Sequence, residues 1–241
     1  MKNFLFLLTL LSPVAQAFPG VWGSGTSSLI NIPVARVMYS QKITVGAGYI
    51  DNRVAYLTNG RFDNFPLYIT IGYLPRLEFS AGVVFVPGEK SYDGSNTYKD
   101  GVVSLQFLAF KEGRFLPAIA LGARDIYSFI LLNTSYIVAS KTLVRKTFSR
   151  LVLHWGYAGD IFDQHVGVLP QDRNLPVGHT LVGMFGGIEI KWLDSLSYMM
   201  EFDTQKINTG IRFKLNENVE CEFDLFNMSN FGGGFQINFG L

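Results

Sequence analysis

The segment 219–225 alternates apolar side chains with three acids, Glu220, Glu222 and Asp224. Successive side chains of a β-strand point to opposite faces of a sheet, so the three carboxylates share one face and the apolar side chains share the other. A carboxylate that faces membrane hydrocarbon is costly, whereas one inside a barrel can meet water or a basic partner. The alternation predicts an all-β fold, an antiparallel transmembrane β-barrel with lipid outside and polar side chains inside.

The same alternation recurs along most of the chain in pieces of about ten residues, the length that a tilted membrane strand needs. These pieces predict about twelve strands, an even number as in bacterial single-chain barrels. A soluble β-sandwich also alternates, but the strand length and the many large apolar side chains on the outward face favour the barrel. The predicted strands are 43–51, 65–74, 76–86, 101–110, 115–124, 130–140, 147–158, 180–192, 195–203, 206–214, 218–226 and 232–241.

The first residues have the pattern of an export signal. Lys2 precedes an apolar core at 4–11, and Ser12-Pro13 leads to the small-residue triplet Ala15-Gln16-Ala17. This core is far shorter than the roughly twenty residues of a membrane-spanning helix. Residues 1–17 are therefore predicted to be a cleaved signal peptide. Its removal takes away one lysine and no acid, and the remaining chain, formally neutral, has no charge excess to attract nucleic acid.

Residues 18–42 do not follow the alternation. They include the sequence Gly-Thr-Ser-Ser-Leu-Ile-Asn-Ile-Pro-Val-Ala-Arg at 25–36, and Pro33 lacks the N–H that a central strand needs. Three large aliphatic side chains in this stretch require burial, while Asn31 and Arg36 are expected to pair with inward acids such as Glu201 or Asp203. We expect residues 18–42 to form a plug or a seal, and residues 43–241 to form the barrel. A thirteenth, irregular strand is the alternative.

Three blocks of the chain resemble the YjbH-like family of outer-membrane barrels. The first is the motif Leu-Ile-Asn-x-Pro-x-Ala-Arg after a glycine-rich start, and its residues here are Gly25, Leu29, Ile30, Asn31, Pro33, Ala35 and Arg36. The second block is 116–125 followed by 136–141, and the third is 201–203 followed by 207–213. The chain departs from the family pattern at Ser28, where the family has glycine, and at 126–129, which lacks Gly-Thr. The resemblance implies a non-enzymatic outer-membrane protein linked to exopolysaccharide production or export.

The inward positions of the predicted strands carry both signs of charge. Neighbouring strands lie only about 4.8 Å apart, so we expect the charges to pair across strands and fill the lumen. A polar conduit, or a binding site for a hydroxyl-rich ligand, is the alternative. The predicted network comprises Glu78, Arg124, Arg150, Glu189, Lys191, Glu201, Asp203, Arg212, Glu220, Glu222 and Asp224, and Lys141 and Lys214 are assigned to inward positions as well.

Signs of catalysis are weak. His154 occupies an inward strand position, and His165 and His179 fall in or beside the polar segment 159–179, which, like 89–100, is predicted to be a long extracellular loop. No nucleophile motif and no metal-ligand spacing accompanies them, so we expect no enzyme activity, no metal and no cofactor. The run Gly232-Gly233-Gly234 is not followed by a helix, which excludes a phosphate-binding loop and predicts a turn.

Three functions are compatible with these features, and they are given in decreasing order of preference. They are an accessory barrel in exopolysaccharide production or export, a general porin with an open lumen, and an outer-membrane hydrolase that uses His165 or His179 at the barrel mouth. The expected location is the outer membrane of a Gram-negative cell. Expected partners are its lipid, polysaccharide or export proteins, and not nucleic acid. The outward face demands no protein neighbour, so the chain is expected to be monomeric.

Overall fold

The computed structural model describes residues 25–38, 41–54, 61–91, 93–126, 134–146, 149–160, 181–193 and 195–240. The predicted signal peptide, 1–17, lies outside this part of the chain. The described residues form twelve strands: β1 (Lys42–Ile50), β2 (Phe65–Leu74), β3 (Leu77–Pro87), β4 (Thr97–Phe110), β5 (Ala118–Arg124), β6 (Thr134–Lys146), β7 (Ser149–Asp160), β8 (Gly183–Leu193), β9 (Leu196–Phe202), β10 (Ile207–Lys214), β11 (Val219–Phe226) and β12 (Asn230–Gly240). Across these ranges, no helix is long and apolar enough to span a membrane.

The strands close into one antiparallel barrel. Each strand pairs with its neighbour in sequence, and β1 also pairs with β12, from Lys42 opposite Gly240 to Ile50 opposite Gly232. Closure leaves no unpaired sheet edge, which a membrane environment requires because lipid offers no hydrogen bonds to the backbone. The predicted all-β antiparallel barrel of about twelve strands is confirmed.

Burial follows the predicted alternation. In β11 the acids Glu220, Glu222 and Asp224 are buried in the lumen, whereas Phe223 and Leu225 are exposed on the outside. The other strands also carry exposed large apolar side chains at their outward positions, among them Leu67, Ile69, Phe79, Trp155 and Tyr157. An exterior of this kind is favourable only against hydrocarbon.

The two ends of the barrel differ. We call the end with the connections 75–76, 111–117, 147–148, 194–195 and 215–218 the short-turn end. The opposite end, which carries 51–64, 88–96, 125–133, 161–182, 203–206 and 227–229, is the long-loop end. Strand β4 already begins at Thr97, so the predicted loop 89–100 was too long.

Two further predictions were wrong. Gly232-Gly233-Gly234 is not a turn but lies within β12 and pairs with β11, and a Cβ on Gly232 would lie 2.3 Å from the Phe226 ring. Lys141 does not face the lumen: it lies opposite Leu153 on the outward face, beside an irregularity between Thr142 and Val144. Its Nζ donates to carbonyl oxygens of the connection 111–117, the nearest 2.7 Å away.

Candidate functional site

Residues 25–38, here called the lumen segment, lie inside the barrel. The side chains of Leu29, Ile30 and Ile32 are 0% exposed. The segment folds back on itself: Leu29 N–H donates to Ile32 O at 2.9 Å, and Ser28 and Pro33 form an isolated antiparallel bridge. It is an irregular loop with no strand-length pairing, so the alternative of a thirteenth strand is wrong for these residues.

Glu78 holds both legs of the lumen segment at the short-turn end. One carboxylate oxygen accepts the Ser27 N–H at 2.6 Å. The other accepts the Ser27 hydroxyl at 2.5 Å and the Met38 N–H at 2.7 Å. The two legs therefore meet at a single buried side chain near the start of β3.

Glu201, near the end of β9, holds the tip in the same manner. Its carboxylate accepts the backbone N–H groups of Ile30 at 3.0 Å, Asn31 at 2.8 Å and Ile32 at 3.1 Å. The Asn31 side chain donates to Asp203 at 3.4 Å. The expected pairing of Asn31 with Glu201 and Asp203 is therefore present in the structure.

Carbonyl groups of the lumen segment accept hydrogen bonds from side chains of the barrel strands. Arg124 donates to Asn31 O at 2.5 Å, and Arg212 donates to Leu29 O at 2.5 Å. Gln106 Nε2 donates to Val34 O at 3.1 Å and also to Arg36 O, while its own Oε1 accepts the Tyr136 hydroxyl at 2.6 Å. An irregular backbone inside a membrane protein persists only where such partners are supplied, and here they come from several strands.

Arg36 has different partners from those expected. It bonds Glu189 of β8 rather than Glu201 or Asp203, because it lies nearer the short-turn end than the tip does. It also donates to His154 Nε2 at 3.2 Å. Since arginine cannot accept a hydrogen bond, the ring proton of His154 is placed on Nδ1, which faces Ser140 Oγ at 2.8 Å.

Ion pairs join several of the remaining members of the predicted network. Arg212 pairs with Glu222 at 2.7 Å. The Lys191 ammonium lies 3.6 Å from the Glu189 carboxylate, and the Lys214 ammonium lies 3.3 Å from the Glu220 carboxylate. Arg150 donates to the Thr142 hydroxyl at 3.1 Å, and Asp224 is buried beside Gly210.

Several contributors to this site are absent from the predicted network. Gln106, Ser140, Tyr136 and Ser27 are uncharged. Their inward strand position is a sequence signal for the first three, Tyr136 and Ser140 also lie in the second block that resembles the family, and Ser27 lies in the motif region. His165 and His179 lie outside the described residues. Among the residues that the structure does describe, no group of three or more His, Cys, Asp or Glu side chains is arranged to hold a metal ion.

At the long-loop end, the segment after β1 is fixed by a local ion pair. Arg53 Nη2 lies 2.6 Å from Asp51 Oδ2, and its Nε donates to Oδ1 at 2.8 Å. The hydrogen bonds from Arg53 outweigh the effect of burial and lower the pKa of Asp51. The side chain therefore stays ionised at the barrel mouth.

A closed barrel with an apolar exterior, and with residues 25–38 of its own chain inside, defines the class of transmembrane β-barrels. The chain belongs to the YjbH family, whose model, described as "Exopolysaccharide biosynthesis protein YbjH", matches residues 22–241. A similar curated protein is the "Uncharacterized lipoprotein YjbH" of Escherichia coli (strain K12), 40% identical over 70 residues, which are 29% of this chain and 10% of that protein. This chain thus spans a small part of the relative's length.

Porins are among the solved structures similar to this chain. A KdgM porin has a TM-score of 0.48 at 12% identity, over 82% of this chain and 99% of its own. The same porin in complex with disordered oligogalacturonate has a TM-score of 0.46 at 12% identity, over the same shares. A triple mutant of the Rhodopseudomonas blastica porin has a TM-score of 0.33 at 8% identity, over 82% of this chain and 98% of its own.

Proposed function

We propose that this protein is a non-enzymatic outer-membrane barrel, exported by residues 1–17, that serves as an accessory in exopolysaccharide production or export. In its resting state the lumen is plugged by the lumen segment, residues 25–38. Membership of the YjbH family supports the link to exopolysaccharide. The observation that carries the plugged state is the hydrogen bonding of the lumen segment to Glu78 at its legs and to Glu201 at its tip.

A general porin needs a continuous water-filled lumen. Here the buried tip, Leu29 to Ile32, is bonded to Glu201 of β9, Arg124 of β5 and Arg212 of β10. Strands β9 and β10 are neighbours, and β5 lies four strands away from β9 around the ring of twelve, so the tip reaches across the lumen from one part of the wall to another. Diffusion of solutes then requires the lumen segment to leave, and a plugged accessory barrel is favoured over a porin.

Single-channel conductance in a planar bilayer tests the plugged state. The refolded mature protein is expected to be silent, and the variant that lacks residues 18–40 is expected to conduct. Both must show the heat-dependent electrophoretic shift of a folded barrel, which serves as the control. Steady openings of the intact protein would contradict the proposal and support the porin.

The role in exopolysaccharide is tested in the source organism. Removal of the gene is expected to reduce the amount of extracellular matrix polymer, and the intact gene supplied on a plasmid is expected to restore it. An unchanged amount of polymer, with normal expression of the protein before deletion, would refute this role. Variants of His165 and His179 that keep full complementation would exclude the hydrolase.

A further inference from the structure

Basic side chains gather where the lumen opens at the short-turn end. Arg150 is the first inward residue of β7, and Lys191 and Lys214 are the last inward residues before the turns that follow β8 and β10. Arg150 and Lys191 are direct cross-strand partners. Like charges opposite each other on neighbouring strands repel, so a carboxylate placed between the two side chains is attracted to both.

The acids that accompany these cations lie behind them. The side chain of Lys191 is 18% exposed and that of its partner Glu189 is 1% exposed. The side chain of Lys214 is 29% exposed and that of its partner Glu220 is 3% exposed. Glu189 is also shared with Arg36 of the lumen segment, whose side chain is 13% exposed. Inside this mouth the ammonium and guanidinium groups are therefore more accessible to a solute than the carboxylates with which they pair.

The long-loop end has the opposite character. Asp51, Asp125, Asp203 and Asp224 lie on or near its inward positions. Among the basic side chains at this end, which also include Arg61, Lys90 and Lys206 in the connections, Arg53 is paired with Asp51 and Arg124 is bonded to the carbonyl of Asn31. The charges at inward positions therefore favour an anion at the short-turn end over the long-loop end.

We propose that the short-turn mouth, formed by Arg150, Lys191, Lys214 and Arg36, is a binding site for an acidic polysaccharide, which it holds through the sugar carboxylates. Lys191 and Lys214 are two strands apart, about 10 Å at the usual strand spacing. A single sugar acid reaches one of them, whereas a chain of such sugars reaches both and binds more tightly through its second contact. The proposal rests on the proposed function, since it names the charge of the polymer that the barrel serves.

Calorimetric titration of the full mature protein in detergent tests the site. An alginate-derived oligouronate is the probe, with a neutral maltodextrin of matched length, the uronate monomer and inorganic phosphate as comparisons. The oligouronate is expected to bind more tightly than all three, with an affinity that falls as salt is added, because both partners are charged and solvent-accessible. The double variant Lys191→Gln/Lys214→Gln is expected to weaken binding by about tenfold.

The matched control is Lys206→Gln, which removes one lysine at the long-loop end, and it is expected to leave the affinity unchanged. The double variant Lys191→Arg/Lys214→Arg keeps the charge and is expected to retain binding. The site is overturned if oligouronate binding is independent of salt, equal to that of the maltodextrin, or no tighter than that of the monomer or phosphate. The salt series tests the site without any variant. These results are independent of the matrix-polymer phenotype, so failure of the site and failure of the proposed function are distinguishable.

Discussion

Replacement of Glu201 by alanine is expected to open the barrel without unfolding it. The side chain is 2% exposed and accepts three backbone N–H groups from the tip of the lumen segment, those of Ile30, Asn31 and Ile32. Each buried donor left without an acceptor costs about 1–3 kcal/mol. Even at the low end, the loss for three donors is about 3 kcal/mol, which shifts the equilibrium between docked and released segment by more than about a hundredfold.

Planar-bilayer recording measures this shift directly. The wild-type protein is expected to be silent and Glu201→Ala to show openings, because the tip loses its acceptor while all twelve strand pairings are kept. Glu217→Ala is the matched control, since Glu217 is an exposed acid in a turn at the short-turn end. A Glu201→Ala protein that remains silent, although its electrophoretic shift shows a folded barrel, would refute the assignment of Glu201 as the main anchor of the tip.

Three further changes have defined outcomes. Gly232→Ala is expected to lower the free energy of unfolding by about 1–3 kcal/mol in a urea titration, because its Cβ would meet the Phe226 ring, whereas Gly101→Ala, with open space around it, is expected to be neutral. Arg53→Ala is expected to lower the melting temperature at neutral pH and to leave it unchanged in acid. Because Arg53 lowers the pKa of Asp51 in the folded state, the ion pair stabilises the fold fully above the ordinary pKa of Asp51. This stabilisation is lost as the pH falls through the lowered pKa. Tyr136→Phe is expected to show occasional openings where the wild-type protein is silent, because the variant lacks the hydroxyl that orients the Gln106 amide against the lumen segment. A difference in melting temperature between Arg53→Ala and the wild-type protein that is the same at all pH values would contradict the first of these two arguments. A silent Tyr136→Phe protein would contradict the second.

The lumen segment explains why the charged network departs from a simple ladder of ion pairs. Glu78 and Glu201 are both inward acids, yet neither has a basic partner among the salt bridges of the described residues, since backbone N–H groups occupy their oxygens. Arg124 likewise donates to a carbonyl. Peptide groups of an irregular loop need acceptors and donors as much as side chains do, and in a lumen the strands are the source.

The sequence by itself determined the barrel. Alternation such as Glu220, Glu222 and Asp224 between apolar residues is a local property with a period of two, so it assigns the strands and their faces before any partner is known. It also identified the segment around Pro33 as unsuited to a strand. It failed at Lys141, which is in the outward phase of β6 shared with Ile137 and Ala139, and at Gly232, where pairing with the neighbouring strands continues through the glycine run.

Only the tertiary structure decided which inward side chains meet the lumen segment. Residues 27 and 78, or 31 and 201, come together because the barrel closes, and no local pattern encodes such distant pairs. The same holds for the space that the segment occupies: a Cβ on Gly187 would lie 2.5 Å from Leu29, and one on Gly210 would lie 3.2 Å from Ile30. These glycines leave room for the tip, and their role follows from packing across the lumen, which depends on strand stagger and not on sequence neighbours.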